Sequence, residues 1–310
     1  MNTATHGLSA NETAALTRRV TLLSVATALV LVIIKAVAWL ASDSVALLAS
    51  TADSGLDLLA SLVTFFAVRY AVTPPDAEHR YGHGKVEAFA SLVQAGLVFA
   101  SAALIGQEAI RHLVRSQPVQ NEGWAIAVMA VSLVLTAMLV AAQSRVLKQA
   151  NSVAVSGDRA HYFSDFAANI AALIGLAAVT LTGWTGYDAI AGLAVAALLL
   201  WAAINVFRES SGQLMDRELS DEARSQIVKL ATEEPQVLGV HQLRTRASGP
   251  YVHIQMHIDL DPDLSLQEAH RLVIAAESRV LSAFPAADLI IHPDPRGRAE
   301  PHGGAFAEDH

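Results

Sequence analysis

Asp53-Ser54-Gly55-Leu56-Asp57 and His161-Tyr162-Phe163-Ser164-Asp165 are two short polar insertions in otherwise apolar runs. Each carries a pair of metal-competent side chains spaced i, i+4. On a helix that spacing stacks both side chains on one face, one turn apart. Two such faces opposed across a bundle supply three carboxylates and one imidazole, a four-ligand set for a divalent cation. A carboxylate at the centre of a membrane helix costs roughly 2.5 to 3.5 kcal/mol on insertion scales, so a pair on one face requires compensation. The bland alternative is a pair of packing carboxylates, neutralised by protonation or by hydrogen bonds to neighbouring Ser and Thr.

The composition places these insertions in a membrane. Of the 310 residues 53% are hydrophobic and only 16% charged, against about a quarter charged in a soluble protein of this length. Net charge is −8, and the acidic excess lies beyond Gly212, where 9 basic residues face 16 acidic ones. That balance argues against nucleic acid and anionic lipid as partners of the C-terminal part. The chain has no cysteine, which excludes disulfides and soft thiolate sites.

Residues 1–16 read as a polar cytoplasmic leader without a secretory signal. Hydropathy predicts six spans within 17–211: about Val20–Ala41, Val45–Val72, Val86–Val114, Trp124–Leu147, Val153–Leu181 and Ala189–Phe207. Lys35 is the one charge in the first span and reads as a lysine that snorkels to the interface. Six spans put both termini on one side. Arg18, Arg19, Arg69, Arg80, Lys85, Arg145, Lys148, Arg159 and Arg208 fall on that side, which the positive-inside rule makes cytoplasmic.

Between the second and third spans, Asp76, His79 and His83 lie a turn apart within a Pro- and Gly-rich loop. They form either an open three-ligand metal site or a solvated basic loop that sets topology. From about residue 212 to 295 the pattern becomes α-β-β-α-β, a small α+β domain with helices on one face of one sheet. Ser220 is a predicted N-cap. In the strand Tyr251–Leu260, Val252, Ile254, Met256 and Ile258 alternate with His253, Gln255, His257 and Asp259. His241, His253, His257, His270 and His292, followed by Asp294, crowd into this domain, as ligands of a second metal site or as polar sheet residues. Residues 296–310 read as a disordered tail.

There is no His-Glu-x-x-His helix, and Gly82-His83-Gly84-Lys85 lacks P-loop spacing, so neither an intramembrane metalloenzyme nor an ATP-driven pump is expected. A membrane-anchored metal sensor is the alternative from another class, but four ionisable ligands inside an anchor would serve no purpose.

These features together resemble the cation diffusion facilitator family. The likeness rests on the acidic pair in the second span, His-x-x-x-Asp in the fifth, Tyr81-Gly82-His83-Gly84-Lys85 after the second, and the strings Leu243-Arg-Thr-Arg-Ala-Ser-Gly-Pro250 and Ile290-Ile-His-Pro-Asp-Pro295. The resemblance covers about Leu16 to Pro295. It implies a six-helix transmembrane bundle with a metallochaperone-like cytoplasmic domain, in a homodimer of the bacterial inner membrane that exchanges a cytoplasmic divalent metal for protons. It further implies that Asp53, Asp57, His161 and Asp165 form the transport site and Asp76, His79 and His83 a loop site. His241, His257, His292 and Asp294 would form a cytoplasmic site, with His270 a further candidate, and Lys85–Asp216 a hinge charge pair. His253 matches none of the family's ligands. Zn2+ is the expected cargo, with Cd2+ and Fe2+ next.

Overall fold

The computed structural model describes residues 8–42, 45–114, 123–182 and 186–297. Six long helices come first: α1 (Ala10–Ser42), α2 (Val45–Ala71), α3 (Val86–Val114), α4 (Gly123–Leu147), α5 (Val153–Thr182) and α6 (Gly186–Leu214). Five of them are long and apolar enough to cross a membrane among the described residues. The other is α5, as long as its neighbours but carrying Asp158, Arg159, His161 and Asp165 in its first half.

The bundle is held by small residues. Ala95, Val98 and Ala102 of α3 pack against Ala160 of α5 and Leu199, Ala203 and Val206 of α6. A Cβ on Gly157 would come within 2.8 Å of Ser91 Oγ, so α3 and α5 touch almost backbone to backbone there. Close approach through Ala and Gly is how helices associate where lipid removes the hydrophobic driving force. The outer faces carry exposed Leu22, Leu29, Leu104, Met138 and Leu181, an apolar shell that matches hydrocarbon and not water.

Two helix ends differ from the sequence expectation. Helix α1 begins at Ala10, within the predicted leader, because Ser9 and Glu12 cap it reciprocally: Ser9 N–H donates to Glu12 Oε2 at 2.9 Å and Glu12 N–H to Ser9 Oγ at 3.3 Å. Helix α6 runs two turns past Phe207, to Leu214, and stops at Asp216, whose φ of 56° is the left-handed conformation that ends helices. The predicted turns at 115–122 and 183–185, the first seven residues and the tail beyond 297 lie outside the described residues.

The C-terminal domain follows the order α7 (Asp221–Ala231), β1 (Gly239–Ser248), β2 (Tyr251–Leu260), α8 (Leu266–Ala283) and β3 (Ala287–Pro295). Ser220 caps α7, and a Ser265–Glu268 capping box starts α8. Strand order is β1-β2-β3, with β1 antiparallel and β3 parallel to β2. A parallel neighbour requires a crossover, and α8 supplies it. Ile254, Met256 and Ile258 bury their side chains against α7 and α8, through Ile227, Leu272 and Val280 among others. The alternate residues of β2 face the other way, and the histidines lie on that face.

Candidate metal centres

In the bundle, α2 and α5 bring Asp57, His161 and Asp165 together, with one donor atom from each lying within 4.8 Å of the others. His161 Nε2 stands 3.0 Å from Asp57 Oδ1 and 3.9 Å from Asp165 Oδ2. Asp57 and His161 are only 8% and 4% exposed, so the pair is withdrawn from solvent. The His161–Asp165 approach follows from the helical repeat, whereas the contact with Asp57 is made by packing.

Asp53 is not in this cluster. It is exposed on α2, one turn before Asp57. Lys35 also departs from expectation. Its Nζ turns inward to α2 and donates to Ser54 Oγ at 2.6 Å and to the Ser50 carbonyl at 3.4 Å, beside Asp53. A hydroxyl and a carbonyl on the adjacent helix replace the interfacial water that snorkelling would have sought.

Next to the cluster lies a polar node that the sequence reading missed. Asp158 is fully buried, and its two oxygens accept from Gln94 Nε2 of α3 at 3.2 Å and Gln143 Nε2 of α4 at 2.8 Å. Gln94 also donates to Thr64 of α2, and Gln143 to Ser24 of α1. Tyr162 adds a second tie, its hydroxyl 2.7 Å from Ser61 Oγ of α2. Asp158 and Tyr162 thus anchor α5 to the four preceding helices and fix the rotation at which His161 meets Asp57. The signal was present as Gln94 and Gln143 in apolar runs, since buried polar groups need partners.

In the loop after α2, Asp76 Oδ1 stands 3.4 Å from His79 Nδ1, and Asp76 Oδ2 stands 3.2 Å from His83 Nε2. The His79 backbone amide, with that of Glu78 and the two imidazoles, holds the Asp76 carboxyl below its ordinary value against a smaller effect of burial. His83 is buried against the Tyr70 ring, and its Nδ1 lies 3.3 Å from the Thr73 carbonyl. A bond from Nδ1–H to that carbonyl selects the tautomer whose Nε2 lone pair faces Asp76, the form a metal needs.

The third cluster is set by strand register. His241 pairs with His257 across β1–β2, His257 with His292 across β2–β3, and Asp259 with Asp294. Asp294 is the centre: its Oδ2 lies 2.8 Å from His257 Nδ1 and 3.2 Å from His241 Nε2, and its Oδ1 lies 3.3 Å from His292 Nε2. Burial pushes the Asp294 carboxyl up, but the His257 bond and the surrounding imidazoles outweigh it and hold the group below its ordinary value. Asp259, not singled out by sequence, adds a carboxylate 3.5 Å from His241 Nδ1. His270 is exposed on α8, which covers the opposite face of the sheet, so this chain does not bring it to the cluster. His253 is buried apart from it, 3.2 Å from Asp288 Oδ2 and edge-on to Tyr81.

Membrane and C-terminal parts are pinned together at the same loop. Lys85 Nζ meets Asp216 Oδ1 at 2.8 Å, and Arg246 Nη1 meets Asp216 Oδ2 at 3.1 Å. A Cβ on Gly84 would fall 2.0 Å from the Ser248 carbonyl oxygen, and Gly249, at φ +57°, closes over Gly84 from the β1–β2 turn. Only glycine permits either position.

A model of the cation efflux transmembrane domain matches residues 21–215, and one of the cation efflux protein cytoplasmic domain matches residues 219–296. The cation-efflux pump FieF of Shewanella oneidensis is 43% identical over 272 residues, 88% of this chain and 92% of that relative. FieF of Yersinia enterocolitica is 40% identical over 269 residues, 86% of this chain and 88% of that relative. A solved chain described as a zinc-transporter candidate, CzrB, in its Zn form is 33% identical and covers 28% of this chain and 99% of its own length, at a TM-score of 0.26. With a bundle of membrane-crossing helices, a small α+β domain behind it and matches along nearly its whole length, the chain belongs to the cation efflux family of multi-span bacterial membrane transporters.

Proposed function

We propose that this protein exports divalent cations from the cytoplasm across the bacterial inner membrane in exchange for protons, with Zn2+ the main cargo and Cd2+ and Fe2+ next. The observation that carries this reading is the Asp57, His161 and Asp165 cluster buried between α2 and α5. Two carboxylates and one imidazole, with Asp53 one turn away, form an oxygen-rich set with one nitrogen, which suits these metals and favours zinc among them on affinity. Asp53 completes the set when its side chain turns inward as a cation enters.

Protons and metal compete for the same donors. Clustered carboxylates in a low-dielectric bundle repel one another, and either a divalent cation or protons relieve the repulsion. When the bundle exposes the cluster to each side in turn, competition becomes exchange: metal loads from the cytoplasm, protons displace it outside, and the protonated site returns. His161 supplies the neutral nitrogen, and the Asp158 node keeps it aimed at Asp57 through the cycle.

In this reading residues 17–211 conduct, residues 212–295 bind metal and join two protomers, and both termini are cytoplasmic. The Asp294 cluster holds a resident metal, because the imidazoles of His241 and His257 converge with the Asp294 carboxylate, with His292 beside its other oxygen, in a donor set of the kind zinc takes. The metal there ties tail domains together and biases the conformation of the bundle. Its ligands belong to a rigid sheet face, which suits holding more than releasing.

The test is zinc influx into proteoliposomes that contain a metal-sensitive dye, under an imposed pH gradient. Influx that rises with the gradient and reverses with it is the expected result. Zinc flux indifferent to the gradient contradicts the exchange, and absence of flux for Zn2+, Cd2+ and Fe2+ contradicts transport itself.

A further inference from the structure

Helices α4, α5 and α6 enclose a groove of ≈ 450 Å³ that plays no part in any of the three metal clusters. It opens on the face of α5 that carries Ser156, Arg159, Ala160 and Phe163, whereas His161 and Asp165 belong to the face turned toward α2. Its two ends differ in chemistry. At the end nearer the C-terminal domain the lining is polar, with Ser144, Arg159, Asn205 and Glu209. Farther along it is apolar, formed by Val140, Phe163, Leu198, Trp201 and Ala202.

The charges at the polar end are opposite and act on each other across the groove without coming into contact. Among the described residues no ion pair joins Arg159 to Glu209, and the one hydrogen bond of the Glu209 carboxylate comes from Ser156 Oγ at 3.5 Å. Two unlike charges that share a groove mouth without meeting leave room for a group that carries both signs. From Glu209 to Leu198 is eleven residues of α6, about 16 Å at 1.5 Å per residue. That is one leaflet of a hydrocarbon core about 30 Å thick. Trp201, 64% exposed and large, lies along this run where it would flank an acyl chain.

We propose that the α4–α5–α6 groove is a binding site for one zwitterionic phospholipid with a primary ammonium headgroup, phosphatidylethanolamine. Its phosphate meets Arg159, its ammonium meets Glu209, and one acyl chain lies along Phe163, Leu198 and Trp201. Charge complementarity selects the headgroup: phosphatidylglycerol offers the same phosphate to Arg159 but a neutral glycerol, with no cation, to Glu209. The trimethylated headgroup of phosphatidylcholine has no N–H to donate to Glu209. A lipid wedged between α4 and α6 would also brace α5, the helix that carries His161 and Asp165.

The test uses the full-length protein, delipidated in detergent and titrated with phosphatidylethanolamine, phosphatidylglycerol or phosphatidylcholine while bound lipid is counted by native mass spectrometry. One phosphatidylethanolamine per protomer, held about tenfold more tightly than either competitor, is expected, the weight of one charge-assisted contact. Glu209→Gln should abolish the preference, whereas Arg159→Ala, which loses a contact to the phosphate common to all three lipids, should weaken the three alike. Ala202→Trp, which fills the groove without changing charge, should remove binding of all three lipids. Brominated-chain phosphatidylethanolamine should quench wild-type fluorescence, and Trp201→Phe should remove that quenching. Melting temperatures identify any variant that fails to fold. Equal retention of the three lipids by the wild type, a preference for phosphatidylglycerol or phosphatidylcholine, undiminished preference in Glu209→Gln, or undiminished binding in Arg159→Ala would overturn the proposal.

Discussion

The bundle and the C-terminal domain each hold a candidate metal cluster of imidazoles and carboxylates, oxygen-rich in the bundle and imidazole-rich in the domain, assembled in different ways. In the bundle, His161 and Asp165 are stacked by the helical repeat and Asp57 is delivered by a second helix, so the cluster depends on how α2 and α5 are rotated against each other. In the domain, His241, His257 and His292 stand opposite one another on three neighbouring strands, and strand pairing sets their spacing, with an irregularity in β1 just after His241. A helix pair can rotate or slide by small steps without breaking backbone bonds; a strand register cannot shift without turning its side chains to the other face. In the proposed exchange the bundle cluster is the one that would change, and the sheet cluster the one that would persist. Solvent access agrees: the His161 side chain is 6% exposed, whereas the His292 side chain is 55% exposed and reachable by a further ligand or a partner molecule.

The comparison is broken most forcefully at Asp57. Replacing it with Ala removes the nearest carboxylate to His161 and should lower metal flux by at least about 100-fold, since even outer-shell changes cost 10- to 100-fold in metal affinity. The measurement is initial rate of dye-reported influx, with protein quantity and fold matched by circular dichroism.

Asp158→Ala should sharpen it next. The substitution removes the acceptor the two amides share: Gln94 keeps Thr64 and the Ala60 carbonyl, whereas Gln143 keeps only Ser24 and loses the partner of one N–H, at about 1 to 3 kcal/mol for that unsatisfied group. Thermal unfolding in detergent should show the loss, with His161 misaligned as well; Asp158→Asn, which keeps one acceptor oxygen, should lose less. An unchanged melting temperature and flux would show that α5 does not depend on this node.

Gly84→Ala tests whether the two regions are joined rigidly. A methyl cannot stand 2.0 Å from the Ser248 carbonyl oxygen, so the β1–β2 turn must back away, with an overpacking cost of about 1 to 3 kcal/mol. Hydrogen exchange should rise at Ser248–Tyr251 and at the loop of Asp76 while the strands remain protected. Loss of protection throughout the sheet would mean that the domain folds only when docked.

The smallest effect belongs to the Lys85–Asp216–Arg246 charges. Burial raises the Asp216 carboxyl, but the Lys85 bond and the Arg246 charge outweigh it and hold the group below its ordinary value. A depressed carboxylate contributes stability that is complete above its unfolded pKa and is lost as pH falls through the folded one, so docking should weaken only on acidification. Because these side chains are 36% and 40% exposed, Asp216→Asn should cost under about 1 kcal/mol, and salt should mimic it. A shift that instead appears on raising the pH would assign the effect to another group.

The hydropathy pattern and the period-two alternation of β2 were enough to separate the bundle from the α-β-β-α-β domain, because burial in lipid and burial on one sheet face each leave their own periodicity. The i, i+4 spacing was likewise enough to stack His161 on Asp165. Rotation was not legible. Hydropathy reports that a helix is buried, not which of its polar residues points inward, so the exposed Asp53, the inward Lys35 and the node at Asp158 emerged only from helix packing. The same limit applied to His270 and Asp259: the first lies across the sheet from the cluster, and the second joins it through a cross-strand pairing that local sequence does not encode. The helix start at Ala10 was different, since Ser9 and Glu12 are a capping box readable from the chain itself.

Flux and retained metal, measured side by side in Asp57→Ala and in Asp294→Ala, test the division between a cluster that changes and one that holds. The account predicts that Asp57→Ala loses influx while the metal held by the C-terminal domain stays bound through dialysis, and that Asp294→Ala loses that retained metal while the Asp57 cluster still conducts. If Asp294→Ala were silent for transport and stripped of nothing, or if Asp57→Ala went on transporting, the two clusters would not have the separate roles their construction assigns to them.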